Sequence, residues 1–209
     1  MSQPSYLSLL RALLEAQPHE PLHRMRELYS AFLGAYPLCF GVWKRWAELE
    51  LRHGGLPLAN QVYERAVSLG HHCVELWSFY ASHAAAHWSV PAEVRKLFER
   101  AAELIGCDYN ASVFWDRYIA YESAQAVSEP GGDMSRVAAI YRRVFKLPLK
   151  AVDAYWLRFQ QLSAVRPLRG PVSTAGPLGY AILDVTNASG GKSNRLIACY
   201  ICTSLLSRA

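Results

Sequence analysis

The chain has 209 residues, 52% of them apolar and 19% charged, which is enough to bury a core as one domain or one short array and excludes disorder throughout. Its formal charge of +5 is unevenly placed: residues 1–163 hold 17 Lys and Arg against 16 Asp and Glu, whereas residues 164–209 hold 5 against 1. The basicity therefore belongs to the tail, and a folded surface devoted to neutralising phosphate is not expected, so that any RNA contact is weak or indirect.

Along the chain, helices are expected near 4–16, 21–35, 40–53, 58–69, 74–87, 92–105, 112–126, 134–146 and 151–163. The first segment, MSQPSYLSLLRALLEAQPHE, has no basic stretch or small-residue cleavage site ahead of its apolar run, and nowhere do eighteen apolar residues follow one another. The sequence accordingly reads as neither secreted nor membrane-spanning. Pro21, Pro57 and Pro91 sit where the second helix of a pair would begin, a place where the missing N–H of proline costs nothing. Loops are expected at HGGLP, residues 53–57, and SEPGGD, residues 128–133.

The segments repeat. Trp43 and Trp46, three residues apart, recur as Trp77 and Tyr80, Trp115 and Tyr118, and Trp156 and Phe159, the leading tryptophans being 34, 38 and 41 residues apart. Between them lies a second motif, VYERA around Tyr63 and Arg65, LFERA around Phe98 and Arg100, and IYRRV around Tyr141, with LYSAF at 28–32 as an earlier and weaker copy. Each repeat is thus a pair of helices, here named A for the tryptophan helix and B for the one after it. On helix A, positions i, i+3 and i+7 share a face, which puts Glu50 in one stripe with Trp43 and Trp46, and Glu122 in one with Trp115 and Tyr118.

A hairpin of this kind has an apolar face too small to bury alone, so neighbours stack and share one core. The expected fold is all-α: a helical-hairpin solenoid wound as a right-handed superhelix over residues 1–163. The aromatic stripe forms its core, each large side chain contributing roughly 1.5–3 kcal/mol. A carboxylate beside buried rings needs a partner, and Arg65 and Arg100, close to the B-helix aromatics, are the type expected to supply it to Glu50 and Glu122.

Other groups have weaker claims to chemistry. His83 and His87 could face one metal ion, but no third ligand is evident. Cys199 and Cys202 form a lone CxxC without a second pair, and with Cys39, Cys73 and Cys107 they suit free thiols in a reducing compartment. SGGKSN, residues 189–194, resembles a phosphate loop but has Thr186 where the pattern needs glycine, and Asn187 in Asn-Ala-Ser is a glycosylation acceptor only in a secreted chain. No cofactor, metal or catalytic residue is expected. Arg142, Arg143, Lys146 and Lys150 lie within nine residues and form either a solvated face or a contact for acidic protein or RNA backbone.

Trp-x-x-aromatic-x-x-x-Glu on one helix and aromatic-Glu-Arg-Ala on the next resembles the half-a-tetratricopeptide (HAT) repeat of RNA-processing factors, with Ala84 and Ser163 replacing the glutamate in the second and fourth copies. Within that class, YPLCFGVWKRWAELELRHG, VELWSFY and FERAAELIGCDYNASVFWDRYIAYE resemble the N-terminal array of the pre-mRNA-processing factor 39 family over about residues 5–163. The resemblance implies a nuclear protein scaffold rather than an enzyme, associated with the U1 small nuclear ribonucleoprotein and other splicing factors in 5′ splice-site recognition. HAT scaffolds of 3′-end cleavage, ribosomal-RNA processing or the spliceosome core share the same grammar and stay open as alternatives, and an enzyme built on the tail motifs is the alternative from another class.

The family also implies homodimer or heterodimer formation through a second array, to which nothing after Ser163 corresponds. Residues 164–209 lack the aromatic period, are rich in Gly, Ser and Pro, and read as a linker and a tail outside the array. In that tail LIACYICTSLL, residues 196–206, either folds back over the last helix or stays exposed. Its strand-leaning composition and the spacer before it favour exposure.

Overall fold

The structure is a computed structural model and describes residues 8, 11, 12, 21–128, 134–150, 152–165, 182–183 and 196–197, for 163–165, 182–183 and 196–197 the backbone alone. Residues 8, 11 and 12 are helical, and the remainder of the expected first helix lies outside the described residues, as do the greater part of SEPGGD, the phosphate-loop-like stretch, Asn187, Cys199, Cys202 and most of LIACYICTSLL. Eight helices follow: α1 Leu22–Ala35, α2 Phe40–His53, α3 Leu56–Leu69, α4 Val74–His87, α5 Pro91–Ile105, α6 Ser112–Ser128, α7 Ser135–Val144 and α8 Val152–Val165. The fold is all-α. Strand pairing among the described residues is confined to Ile182–Leu183 (β1) and Leu196–Ile197 (β2), antiparallel with Ile182 opposite Ile197.

Proline and glycine place the turns as expected, with one correction. The first loop is Gly54 and Gly55 alone, because α2 runs through His53 and α3 already begins at Leu56. Gly55 makes this possible with φ at 81°, a left-handed conformation that L side chains rarely adopt. Pro57 and Pro91 fall in the first turns of α3 and α5, and Pro21 is the residue before α1. Past α5, a Cβ on Gly106 would come within 2.2 Å of the Ala102 carbonyl oxygen, so that turn admits only glycine in this geometry.

The chain divides into two compact units. One takes in α1 to α5, α6 as far as Ala124, and residues 147–150; the other holds the end of α6 together with α7 and α8. In the first unit α2 pairs with α3 and α4 with α5 as hairpins, α1 packs on α2, α3 on α4, and the two A helices α2 and α4 also touch. Helix-pair stacking of this kind gives the solenoid core its continuity. Trp43, Trp77 and Trp115 lie at its centre with no exposed surface.

In the second unit Tyr141 of α7 meets Tyr155 and Phe159 of α8 at ring-centroid distances of 6.3 and 5.4 Å, and Phe145 meets Trp156 edge-on at 5.4 Å. Trp156 departs from the other three leading tryptophans. It is half-buried, and the neighbouring Tyr155 is the deeply buried ring. Tyr155 takes the inward place against Tyr141, and Trp156, one residue on, lies against Phe145 instead.

Candidate functional site

The first task of the repeat residues is joining one repeat to the next, and each named side chain has a part in that joint. The second aromatic of each A helix lies against the aromatic of the preceding B helix: Trp46 on Tyr29 at 5.9 Å and 5°, Tyr80 on Tyr63 at 5.2 Å and 9°, and Tyr118 on Phe98 at 4.5 Å and 4°. Tyr141 and Phe159 keep the contact but tilt to 50°. Parallel offset rings at these distances are a favourable aromatic geometry. The leading tryptophans hold the turn ahead of their own helix, Nε1 donating to the carbonyls of Pro37 for Trp43, His71 for Trp77 and Gly106 for Trp115, at 2.7, 2.8 and 3.0 Å.

The buried carboxylates find arginines other than those expected. Arg26 of α1 gives Nε and Nη2 to Glu50 at 2.7 Å each, and Trp46 Nε1 adds a third bond at 3.0 Å. Arg95 of α5 gives the same two nitrogens to Glu122 at 2.7 and 3.1 Å. The Arg26 bonds, working against burial, hold the Glu50 carboxyl below its ordinary range. Arg65 and Arg100 instead turn back on their own hairpins, Arg65 over Trp43 and Trp46 at 6.0 and 5.8 Å and Arg100 over Trp77 at 5.0 Å. Arg100 also pairs with Glu64 at 2.9 Å, the carboxylate that accepts from the Tyr80 hydroxyl. Two residues past the B-helix aromatic, the arginine faces its own A helix; three residues before it, the side chain reaches the next repeat.

A signal for the true partners was present. Counting three residues back from Tyr29, Tyr63, Phe98 and Tyr141 gives Arg26, Asn60, Arg95 and Ala138, and the residues they would meet on the next A helix are Glu50, Ala84, Glu122 and Ser163. The arginine is present only where the following repeat keeps its glutamate. At the second joint the neutral set is satisfied otherwise: Asn60 Oδ1 accepts from Trp88 Nε1 at 3.1 Å and lies 3.1 Å from His83 Nε2. His83 is buried against Tyr63 and touches the His87 ring at 4.9 Å, so the two histidines serve this joint; among the described residues no group of three metal-binding side chains forms. Cys39 and Cys73 precede α2 and α4 with thiol pKa values raised, chiefly by burial, which makes them poor nucleophiles.

With the joints assigned, two surfaces of the first unit remain. The turns leading from a B helix to the next A helix expose Leu38 and Tyr109, and the helix ends beside them expose Phe40, Leu69, Leu104 and Val113. Across the A helices α2, α4 and α6 runs a second surface centred on half-buried Phe79, with Phe40 at 6.3 Å, Lys44 Nζ 5.1 Å from the ring centroid and the Arg117 guanidinium 5.8 Å from it. Arg117 Nη1 donates to the Ser78 carbonyl and, at 2.7 Å, to Ser82 Oγ. Burial pulls its pKa down, yet a guanidinium stays charged at any physiological pH. Nothing in the sequence pattern separated Phe79 and Arg117 from ordinary helix-surface residues, since both fall outside the repeated positions.

Of the basic group, Arg142 and Lys146 are exposed and Arg143 is half-buried in the second unit, while exposed Lys150 belongs to the first, where its N–H donates to the Tyr109 carbonyl at 3.1 Å. No described helix is long and apolar enough to cross a membrane.

Comparison with known proteins gives a consistent result. Residues 3–161 match the PRP39 N-terminal HAT repeat family. The chain is 31% identical over 150 residues to pre-mRNA-processing factor 39 of Schizosaccharomyces pombe, covering 72% of this chain and 24% of the relative. It is 34% identical over 145 residues to pre-mRNA-processing factor 39-2 of Arabidopsis thaliana, covering 69% of this chain and 13% of the relative. A more distant similarity, 23% over 155 residues, covers 68% of this chain and 15% of the mRNA 3′-end-processing protein RNA14 of Gibberella zeae. The chain thus spans a quarter or less of the length of these relatives.

Proposed function

The chain belongs to the PRP39 N-terminal HAT repeat family, and from that premise we propose that it is an interaction scaffold of pre-mRNA splicing, nuclear, without catalytic activity, acting in association with the U1 small nuclear ribonucleoprotein in 5′ splice-site recognition. The observation that carries the reading is the division of labour in the repeats. Their aromatic and charged positions are spent on joints between helices, which leaves the outer helix faces to vary and to contact partners. The partners are U1 particle proteins and other splicing factors, with RNA contacted weakly or through them. The array ends near residue 163, and Arg142, Arg143, Lys146 and Lys150 are proposed contacts for acidic protein or RNA backbone. Dimer formation through a second array, the family's expected route, is proposed only for a chain that carries one.

The test is affinity purification of the chain from nuclear extract with U1 RNA measured in the eluate. Enrichment of U1 RNA over other small nuclear RNAs supports the proposal. The similarity to an mRNA 3′-end-processing protein favours a second reading, a scaffold of the cleavage machinery, and recovery of cleavage factors without U1 RNA would select it.

A further inference from the structure

We propose that the A-helix surface around Phe79 is a binding site for an acidic peptide segment of a partner protein, with Arg117 receiving a carboxylate and Phe40 and Phe79 packing an adjacent apolar side chain. The proposal rests on the scaffold reading and adds the chemistry of the partner.

The argument begins with how this chain itself holds carboxylates. Arg26 and Arg95 both present the Nε–Nη2 edge of the guanidinium, side-on, to Glu50 and Glu122. Two parallel N–H donors match two carboxylate oxygens, the geometry in which arginine binds most strongly. Arg117 is set up differently. Its Nη1 is bonded by Ser78 and Ser82, which fixes the plane of the group, whereas no described residue accepts a hydrogen bond from its Nε–Nη2 edge or pairs with it as an ion. The side chain is half-buried, so its charge is poorly screened and a carboxylate there gains more than at an exposed lysine.

The surroundings narrow the ligand further. Phe79 has two cations near its ring, Lys44 at 5.1 Å and Arg117 at 5.8 Å, and Phe40, 41% exposed, extends the apolar surface toward the start of α2. Lys44 lies 3.7 Å from Glu48, an exposed pair of little weight, so it steers more than it binds. One edge-presenting arginine beside two phenyl rings fits a carboxylate followed by an apolar residue. A nucleic-acid backbone would call for several spaced cations along its track, and the first unit as a whole shows no such excess.

The test uses the full chain and a short fluorescein-labelled peptide alternating Glu and Leu, followed by fluorescence anisotropy, with the matching Gln and Leu peptide and a single-stranded RNA oligonucleotide as competitors. The Glu peptide is expected to bind at least about tenfold more tightly than the Gln peptide, the worth of one charge-assisted bidentate contact. Arg117→Lys, which keeps the charge but removes the paired edge, should weaken binding about tenfold, and Phe40→Ala, at an exposed position, about threefold. Lys96→Gln, at an exposed position of α5, should leave it unchanged. Equal binding of the two peptides, no binding of either, an R117K affinity equal to that of the native chain, or displacement of the peptide by RNA with the same dependence on Arg117 overturns the proposal. Because purified components are used, failure here leaves the U1 RNA enrichment result, and the scaffold reading with it, standing on its own.

Discussion

Trp115 carries two duties, filling the core with no exposed surface and holding the Gly106 carbonyl through its ring nitrogen, so Trp115→Ala removes both at once. A loss of about 3–5 kcal/mol is expected, read as a lowered midpoint in thermal or urea unfolding, and an unchanged midpoint would contradict its place in the core. Arg95→Ala strands Glu122, which is 3% exposed, and should cost a further 3–5 kcal/mol or so, whereas Arg95→Met combined with Glu122→Leu should recover most of that loss in the same melts. His83 gives the pH dependence. Burial, then the nearby His87, push its pKa from 6.5 down to about 4. Between those values the unfolded chain binds the proton and the folded one does not, so its contribution is whole above pH 6.5 and fades as the pH falls toward 4, by on the order of 2–3 kcal/mol. Glu50, held low by Arg26, adds its loss at more acid pH. His83→Gln should flatten the melting midpoint between pH 6.5 and 4, while an equally steep profile in the variant would move the effect elsewhere. At this scale the stripe was readable from spacing, because ring position on a helix follows from periodicity. The partners of the glutamates were missed because side-chain reach across a joint depends on the neighbouring helix, and Arg117 because a binding residue leaves no period.

Helix positions were the most legible feature. From α1 to α8 the bounds expected from proline, glycine and tryptophan agree with those observed to within two residues. At several boundaries the agreement has a visible cause, with Pro21, Pro57 and Pro91 at helix starts and Gly54, Gly70 and Gly106 just past helix ends. Trp156 was the exception in burial rather than position, and only a neighbour could decide that. Two glycines that look alike in sequence should differ in consequence. Gly55→Ala meets no atom closer than 3.8 Å but is held at positive φ, so about 1 kcal/mol is expected. Gly106→Ala collides with the Ala102 carbonyl and crowds Trp115 at 3.0 Å, and should lower the melting midpoint well beyond the first variant. The reverse order in paired melts would show that the α5–α6 turn yields more readily than its contacts imply.

For the molecule as a whole, the described joints all fall between Met25 and Val165, so a chain ending at Val165 should keep its helical circular dichroism per array residue and its melting midpoint. Earlier melting of the shortened chain would assign residues beyond 165 a part in the array. The charged joints also set which pieces of the array can be lost without harm, in the sense in which splicing or recombination deletes a coding segment. Arg26 with Glu50 and Arg95 with Glu122 each bridge two repeats, and the neutral joint of Asn60 and His83 lies between them. Removing residues 56–90 excises the neutral joint, leaves both ion pairs whole and places Pro91 directly after Gly55, a splice between a turn and a helix start. Removing residues 74–111, a cut of similar length that sets Cys73 in the place of Ala111, brings Asn60 against Glu122 and buries a carboxylate with no arginine. The first shortened chain should fold and the second should be recovered insoluble. Repeats that look interchangeable thus carry a phase, and a deletion is tolerated only when it is taken in step with that phase.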